Sequence, residues 1–118
     1  MKPPDNKTAQ QLPHHRLVAY QLALELVKLV SRTRVGDAQL RQQARKSAAS
    51  CALNTAEGAA RQTHADKARA YAIALAECCE CCAAVEIAGA LGVCGAGDVA
   101  TVVTLGVRVK NLLSRLAV

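Results

Sequence analysis

The stretch Ser47-Ala48-Ala49-Ser50-Cys51-Ala52-Leu53-Asn54-Thr55-Ala56-Glu57-Gly58-Ala59-Ala60-Arg61 decides how this chain folds. Ser47, Ser50, Asn54, Glu57 and Arg61 recur at steps of three and four residues, which puts them on one narrow face of an α-helix. The remainder of that helix is small and apolar: Ala44, Ala48, Cys51, Ala52, Leu53 and Ala56. A polar seam on an alanine-rich helix is either solvated or built into a network between helices or between subunits.

The flanking segments share the helical period. Helix one is expected from about His15 to Arg32, with Gln21, Glu25, Lys28 and Arg32 as its only polar stripe. A helix in a monomeric bundle needs an apolar arc of roughly 100°. Helix one has far more, so it is expected to pack on two sides, within its own bundle and against another copy. Thr33–Gly36 reads as a turn, and Asp37 as the N-cap of helix two, which runs to a stop at Gly58. Helix three spans about Ala65–Leu91 and, being almost wholly Ala, Cys, Leu, Ile and Val, should be the most buried element. Gly92–Gly97 breaks the chain. Asp98 then caps helix four, Val99–Leu116, whose polar stripe is Thr101, Thr104, Arg108, Asn111 and Arg115. Four helices with short connections predict an all-α, up-down-up-down four-helix bundle over residues 15–118. Residues 1–14, interrupted by Pro3, Pro4 and Pro13, read as a flexible arm.

Composition limits what this bundle can be. The 118 residues suit one domain, 52% of them hydrophobic but only 2% aromatic, with no Phe and no Trp. At roughly 25 cal/mol per Å² of apolar surface, a core of Ala, Cys, Val, Leu and Ile needs many small contacts. Long helices, extensive interfaces or both follow. The net charge of +6 makes a polyanion a fitting partner. No apolar signal segment is seen near the start, and the longest apolar run, Ala70–Leu91, carries Glu77, Glu80 and Glu86, which are costly in hydrocarbon. A cytoplasmic protein with six reduced thiols is expected.

Four groups of residues bear on chemistry. Cys78-Cys79-Glu80-Cys81-Cys82 contains two overlapping C-x-x-C pairs, but on a helix the four thiols fan over roughly 160° and cannot face one ion. Cysteine as a small hydrophobe is the preferred reading, and no metal or other cofactor is expected. The glycines of Gly92–Gly97 lack the preceding strand and the Gly-Lys-Ser/Thr ending of a phosphate loop. Glu57, Glu77 and Glu80 lack the Glu-x-x-His motif of a di-iron bundle, so an ion pair or hydrogen-bonded network of Glu57 or Glu80 with an arginine is expected instead. Arg34, Arg41, Arg45 and Lys46 form the densest basic cluster. They are either a solvated face or a set of phosphate contacts, which would be salt-dependent and tolerant of sequence.

The chain resembles the bacterial four-helix-bundle family of proteins encoded in 23S rRNA intervening sequences, which includes or neighbours the accessory variability determinants of diversity-generating retroelements. Leu17-Val18-Ala19-Tyr20-Gln21-Leu22-Ala23 resembles a family pattern of the type L-x-V-Y-Q-x-A. Leu40-Arg41 with Ala44 is similar to Q-L-R-R-A-A. Ser50, Asn54, Ala56, Glu57 and Gly58 fall on S-I-x-x-N-I-A-E-G, with Arg61 as the basic residue after it, and Ile73-Ala74 with Glu80 on I-A-x-G-S-x-x-E. Departures are Cys51 for the usual Ile, Ala52 for the frequent Pro, Ala76-Glu77 for Gly-Ser, and the missing Phe. The resemblance implies a homopentamer of bundles forming a short barrel. For the retroelement members it also implies a basic surface that binds nucleic acid and a reverse transcriptase.

The function expected from all this is a non-enzymatic, ring-forming accessory protein that binds RNA or DNA. Arg34, Arg41, Arg45 and Lys46 carry the phosphate contacts, and Ser50, Asn54, Glu57, Arg61 and Glu80 form a structural polar seam. The rival is a structural or protein-interaction scaffold whose positive charge serves solubility. A thiol- or metal-dependent enzyme is the third reading, raised only by the cysteines.

Overall fold

The computed structural model describes residues 11–118. Four helices make up the fold: α1 (Val18–Arg32), α2 (Ala38–Ala60), α3 (His64–Ala90) and α4 (Ala96–Leu116). No strand occurs among the described residues. Each helix packs on its neighbours in the chain and α1 closes against α4, the neighbour pattern of an up-down-up-down bundle. The α2–α3 interface is the most extensive. Small residues build it: Ala44, Ala48, Cys51, Ala52 and Thr55 are buried on α2, and Ala74, Cys78, Cys81, Ala84 and Ala88 on α3. Leu26, Val30, Val85, Val102, Val109 and Leu113 fill the centre. Residues 1–10 of the expected arm lie outside the described residues, while residues 13–16 form a turn before α1.

The helix ends correct several expectations. Asp37 caps α2 as its type predicts, accepting from the Leu40 amide at 2.9 Å. Gly58, however, does not stop α2, which continues to Ala60. The ammonium of Lys67, reaching across from α3, donates to the carbonyls of Ala59 (3.0 Å) and Gly58 (3.3 Å) and so serves the C-terminal end instead. Thr63 caps α3, accepting from the Asp66 amide. Asp98 sits in the first turn of α4 rather than at its cap, because the helix begins earlier, after Gly95. Helix α3 ends in a Schellman turn: Val93 N–H donates to Ala88 C=O at 2.9 Å, and Gly92 takes φ +76°, a conformation that side chains rarely allow.

One packing expectation also changes. Helix α3 is no more enclosed than α2: eight of its 27 residues are buried against seven of 23. Its composition is uniform, but a bundle helix covers only the side turned to its neighbours, so Ala72, Ile73, Ala76, Cys79, Ala83, Ile87 and Leu91 face outward. Exposed large apolar side chains are spread over the helices: Val18 and Leu24 on α1, Leu53 on α2, Ile73 and Ile87 on α3, and Leu91 just past the end of α3.

The cysteines diverge around α3 as the helical period requires. Cys78 and Cys81 are buried, Cys82 is half-buried against Gly106, and Cys79 faces solvent. Cys78 donates to the Gly106 carbonyl (3.3 Å), and its contact with the Cys51 thiol, aided by burial, pushes its pKa up to about 12. Burial likewise raises Cys81 to about 12, and the contact with Cys78 raises Cys82. Among the described residues no three His, Cys, Asp or Glu side chains come together to hold a metal ion. Thiolates are the reactive form, so the native protein should react quickly at one thiol per chain, Cys79, when treated with excess thiol reagent. Cys79→Ser should abolish that fast phase. A fast phase of several thiols would contradict the packing described.

Candidate nucleic-acid interface

Helix α1 ends at Arg32, and the chain then turns through Thr33, Arg34, Val35 and Gly36 into α2. The buried Val35 anchors this turn, and Gly36 N–H donates to Val93 C=O at 2.7 Å, tying it to the α3–α4 connection. Arg41 and Arg45, one helical turn apart on α2, lean back over the end of α1. Arg41 Nη1 donates to Val35 C=O (2.8 Å) and Arg45 Nη2 to Ser31 C=O (3.0 Å). Arg45 thereby satisfies a carbonyl in the last turn of α1, at the negative end of its dipole, and Arg41 a carbonyl of the connecting turn. Each guanidinium carries five N–H donors and spends one here, so both keep donors free.

Together with Arg32 and Arg34 they line a surface recess of about 380 Å³. No carboxylate lines it. The ion pairs among the described residues are Lys28–Glu25 and Arg61–Glu57, so none of these four arginines is neutralised by one. Arg32, read from the sequence only as part of a polar stripe, belongs to the cluster. Its helical phase alone could not show that α2 folds back beside it.

Lys46 is placed elsewhere. It follows Arg45 directly, and the 100° step per residue turns it toward α3. There it lines a different recess with Gln42, Gln43, Ile87 and Leu91, close enough to Glu77 and Glu80 to favour their charged forms. It therefore shares no cavity with Arg34, Arg41 and Arg45.

The seam of Ser50, Asn54, Glu57, Arg61 and Glu80 lies along the outer junction of α2 and α3. Asn54 donates back to Ser50, to its carbonyl at 2.9 Å and its hydroxyl at 3.2 Å. Arg61 pairs with Glu57 one turn away on its own helix. Glu80 meets no arginine; Gln43 Nε2 donates to its carboxylate (3.0 Å) and to Ser47 Oγ (2.9 Å). Gln43 was not singled out in the sequence, although it lies four residues before Ser47 on the same face. The Ser50 hydroxyl and then Glu80 hold the Glu77 carboxyl below the usual carboxylate range, while the hydrogen bond and charge of Glu77 push Glu80 up.

Residues 15–115 match the family described as 23S rRNA-intervening sequence protein. The chain belongs to that family. A search of curated proteins gave no match. Family membership covers the whole bundle, arginine recess and polar seam included. No helix among the described residues is long and apolar enough to cross a membrane.

Proposed function

We propose that this member of the 23S rRNA-intervening sequence protein family is a non-enzymatic accessory protein that binds RNA or DNA through the arginine recess. The observation that carries the reading is a recess with four arginines and no carboxylate at the junction of α1 and α2. Arginine forks suit phosphate oxygens. The chain lacks Phe and Trp, so stacking on bases contributes little, and binding should tolerate sequence. Self-association into a ring fits the exposed Leu53, Ile73, Ile87 and Leu91, with the pentamer as the number brought by the resemblance stated at the outset. A reverse transcriptase is the protein partner that the same resemblance brings.

A structured RNA hairpin titrated across a salt series tests the reading. With four phosphate contacts, affinity should fall about a hundredfold between about 50 and about 200 mM salt. Arg34→Glu and the double variant Arg41→Glu/Arg45→Glu should each weaken binding at least tenfold, with helicity and oligomer size unchanged. Arg34 makes no hydrogen bond among the described residues, so its variant separates phosphate contact from turn stability. The carbonyl contacts of Arg41 and Arg45 favour a second reading, a scaffold in which these side chains only brace the turn. Wild-type protein that binds no RNA at low salt, together with an unfolded double variant, would establish that reading.

A further inference from the structure

We propose that the arginine recess is one end of a longer phosphate track, which turns at Arg32 and runs into the groove between α1 and α4, with Arg108 as its far contact. The inference rests on the nucleic-acid reading above and extends it to a second pair of helices. Two cavities meet at Arg32: the recess it shares with Arg34, Arg41 and Arg45, and a groove of about 420 Å³ that it shares with Arg108. Glu25 is the groove's single carboxylate, and it is already paired with Lys28 at 3.5 Å. Arg32 and Arg108 have no ion-pair partner among the described residues. Arg32 therefore borders both cavities, with Arg34, Arg41 and Arg45 on the one and Arg108 on the other.

The groove's floor argues for a strand rather than a lone phosphate. Leu29, Leu105 and Thr104 line it between the two arginines' helices. An inorganic phosphate would use none of the apolar surface. A polynucleotide has sugar carbons to lay on it between phosphates that reach Arg32 and Arg108. With no tryptophan or phenylalanine in the chain, recognition follows the backbone of the strand. Lys46, turned away to Glu77 and Glu80, stands outside this track although it is as basic and as close in sequence to the recess. It serves as the internal control.

The experiment titrates a fluorescent single-stranded oligonucleotide with the full chain, as wild type, Arg108→Ala, Arg108→Lys and Lys46→Ala, over a salt series. Arg108 and Lys46 are exposed or surface-lining, so far-UV circular dichroism should be unchanged in each. Arg108→Ala should lower the slope of log affinity against log salt by about 0.7, the single-strand value for one contact, so the affinity change over a fourfold range of salt shrinks about threefold. Arg108→Lys should keep the wild-type slope, and so should Lys46→Ala. Shortening the oligonucleotide until it fills only one recess should erase the difference between wild type and Arg108→Ala. A wild type that binds, with Arg108→Ala matching it at every length, overturns the track and leaves the recess standing. Equal losses in Arg108→Ala and Lys46→Ala also overturn it, since charge alone would then explain binding. A wild type that fails to bind at low salt removes the recess reading and the track together.

Discussion

Gly58→Ala should lower the unfolding free energy by about 1–3 kcal/mol, the usual cost of forcing a methyl into a packed interior. At an ordinary exposed helix position the same change stabilises by roughly 1 kcal/mol, because alanine is the better helix former. The sign therefore separates the two situations. A Cβ at Gly58 would lie 2.6 Å from Tyr71 Cε1, 2.7 Å from Cδ1 and 3.0 Å from Cζ. Tyr71 is buried and its ring is flat and rigid, so it has no cheap way to withdraw. Removing the ring should reverse the result: in a Tyr71→Ala background, Gly58→Ala should be neutral or stabilising. Urea unfolding of the four proteins completes the cycle. Gly106 makes the contrast. A Cβ there would meet only the Cys82 side chain, its sulfur first, and that half-buried thiol can swing about one torsion. A Gly58→Ala protein at least as stable as wild type would refute the close approach of α2 and α3 at this point.

Leu26→Ala should cost about 2–5 kcal/mol, the range for emptying a leucine site in a core. Leu26 is fully buried, and it is one of the few large side chains in a centre otherwise made of Val, Ala and Cys. Neighbours of that size cannot collapse far into the space, so the upper half of the range is expected. Leu24, two residues earlier on the opposite face, is 36% exposed in the single chain, and Leu24→Ala should cost less than about 1 kcal/mol there. Denaturation at several protein concentrations gives the comparison a second use. Should Leu24→Ala cost as much as Leu26→Ala, and only at concentrations where copies associate, the outer face of α1 is covered by another copy, as its apolar excess predicts.

Local patterning carried much of the architecture. The polar stripes of α1, α2 and α4, the cap at Asp37 and the glycine-rich break after α3 are readable within a few residues, and the structure places these elements within a turn of their expected bounds. Gly58 misleads for the same reason. Seen alone, a glycine after Glu57 marks a helix end. Its true constraint comes from Tyr71, on the next helix, and from Lys67, which finishes α2 two residues later. The seam shows both sides. Spacing placed Ser50, Asn54, Glu57 and Arg61 on one line, but it could not tell that Glu80 would meet Gln43 and Glu77 rather than an arginine.

From residue order alone came four helical rods, a core without Phe or Trp, and an excess of arginine near the first turn, because period, volume and charge are properties of short segments. The ring of Tyr71 in that core was placed only by packing. Which arginines stand together was settled only when the rods packed. Arg32 and Arg108 lie 76 positions apart in the chain and line one groove, while Lys46, adjacent to Arg45, faces another. A helix rotates each successive side chain by about 100°, so neighbours in sequence part company, and only the docking of one helix on another decides which distant residues become neighbours in space.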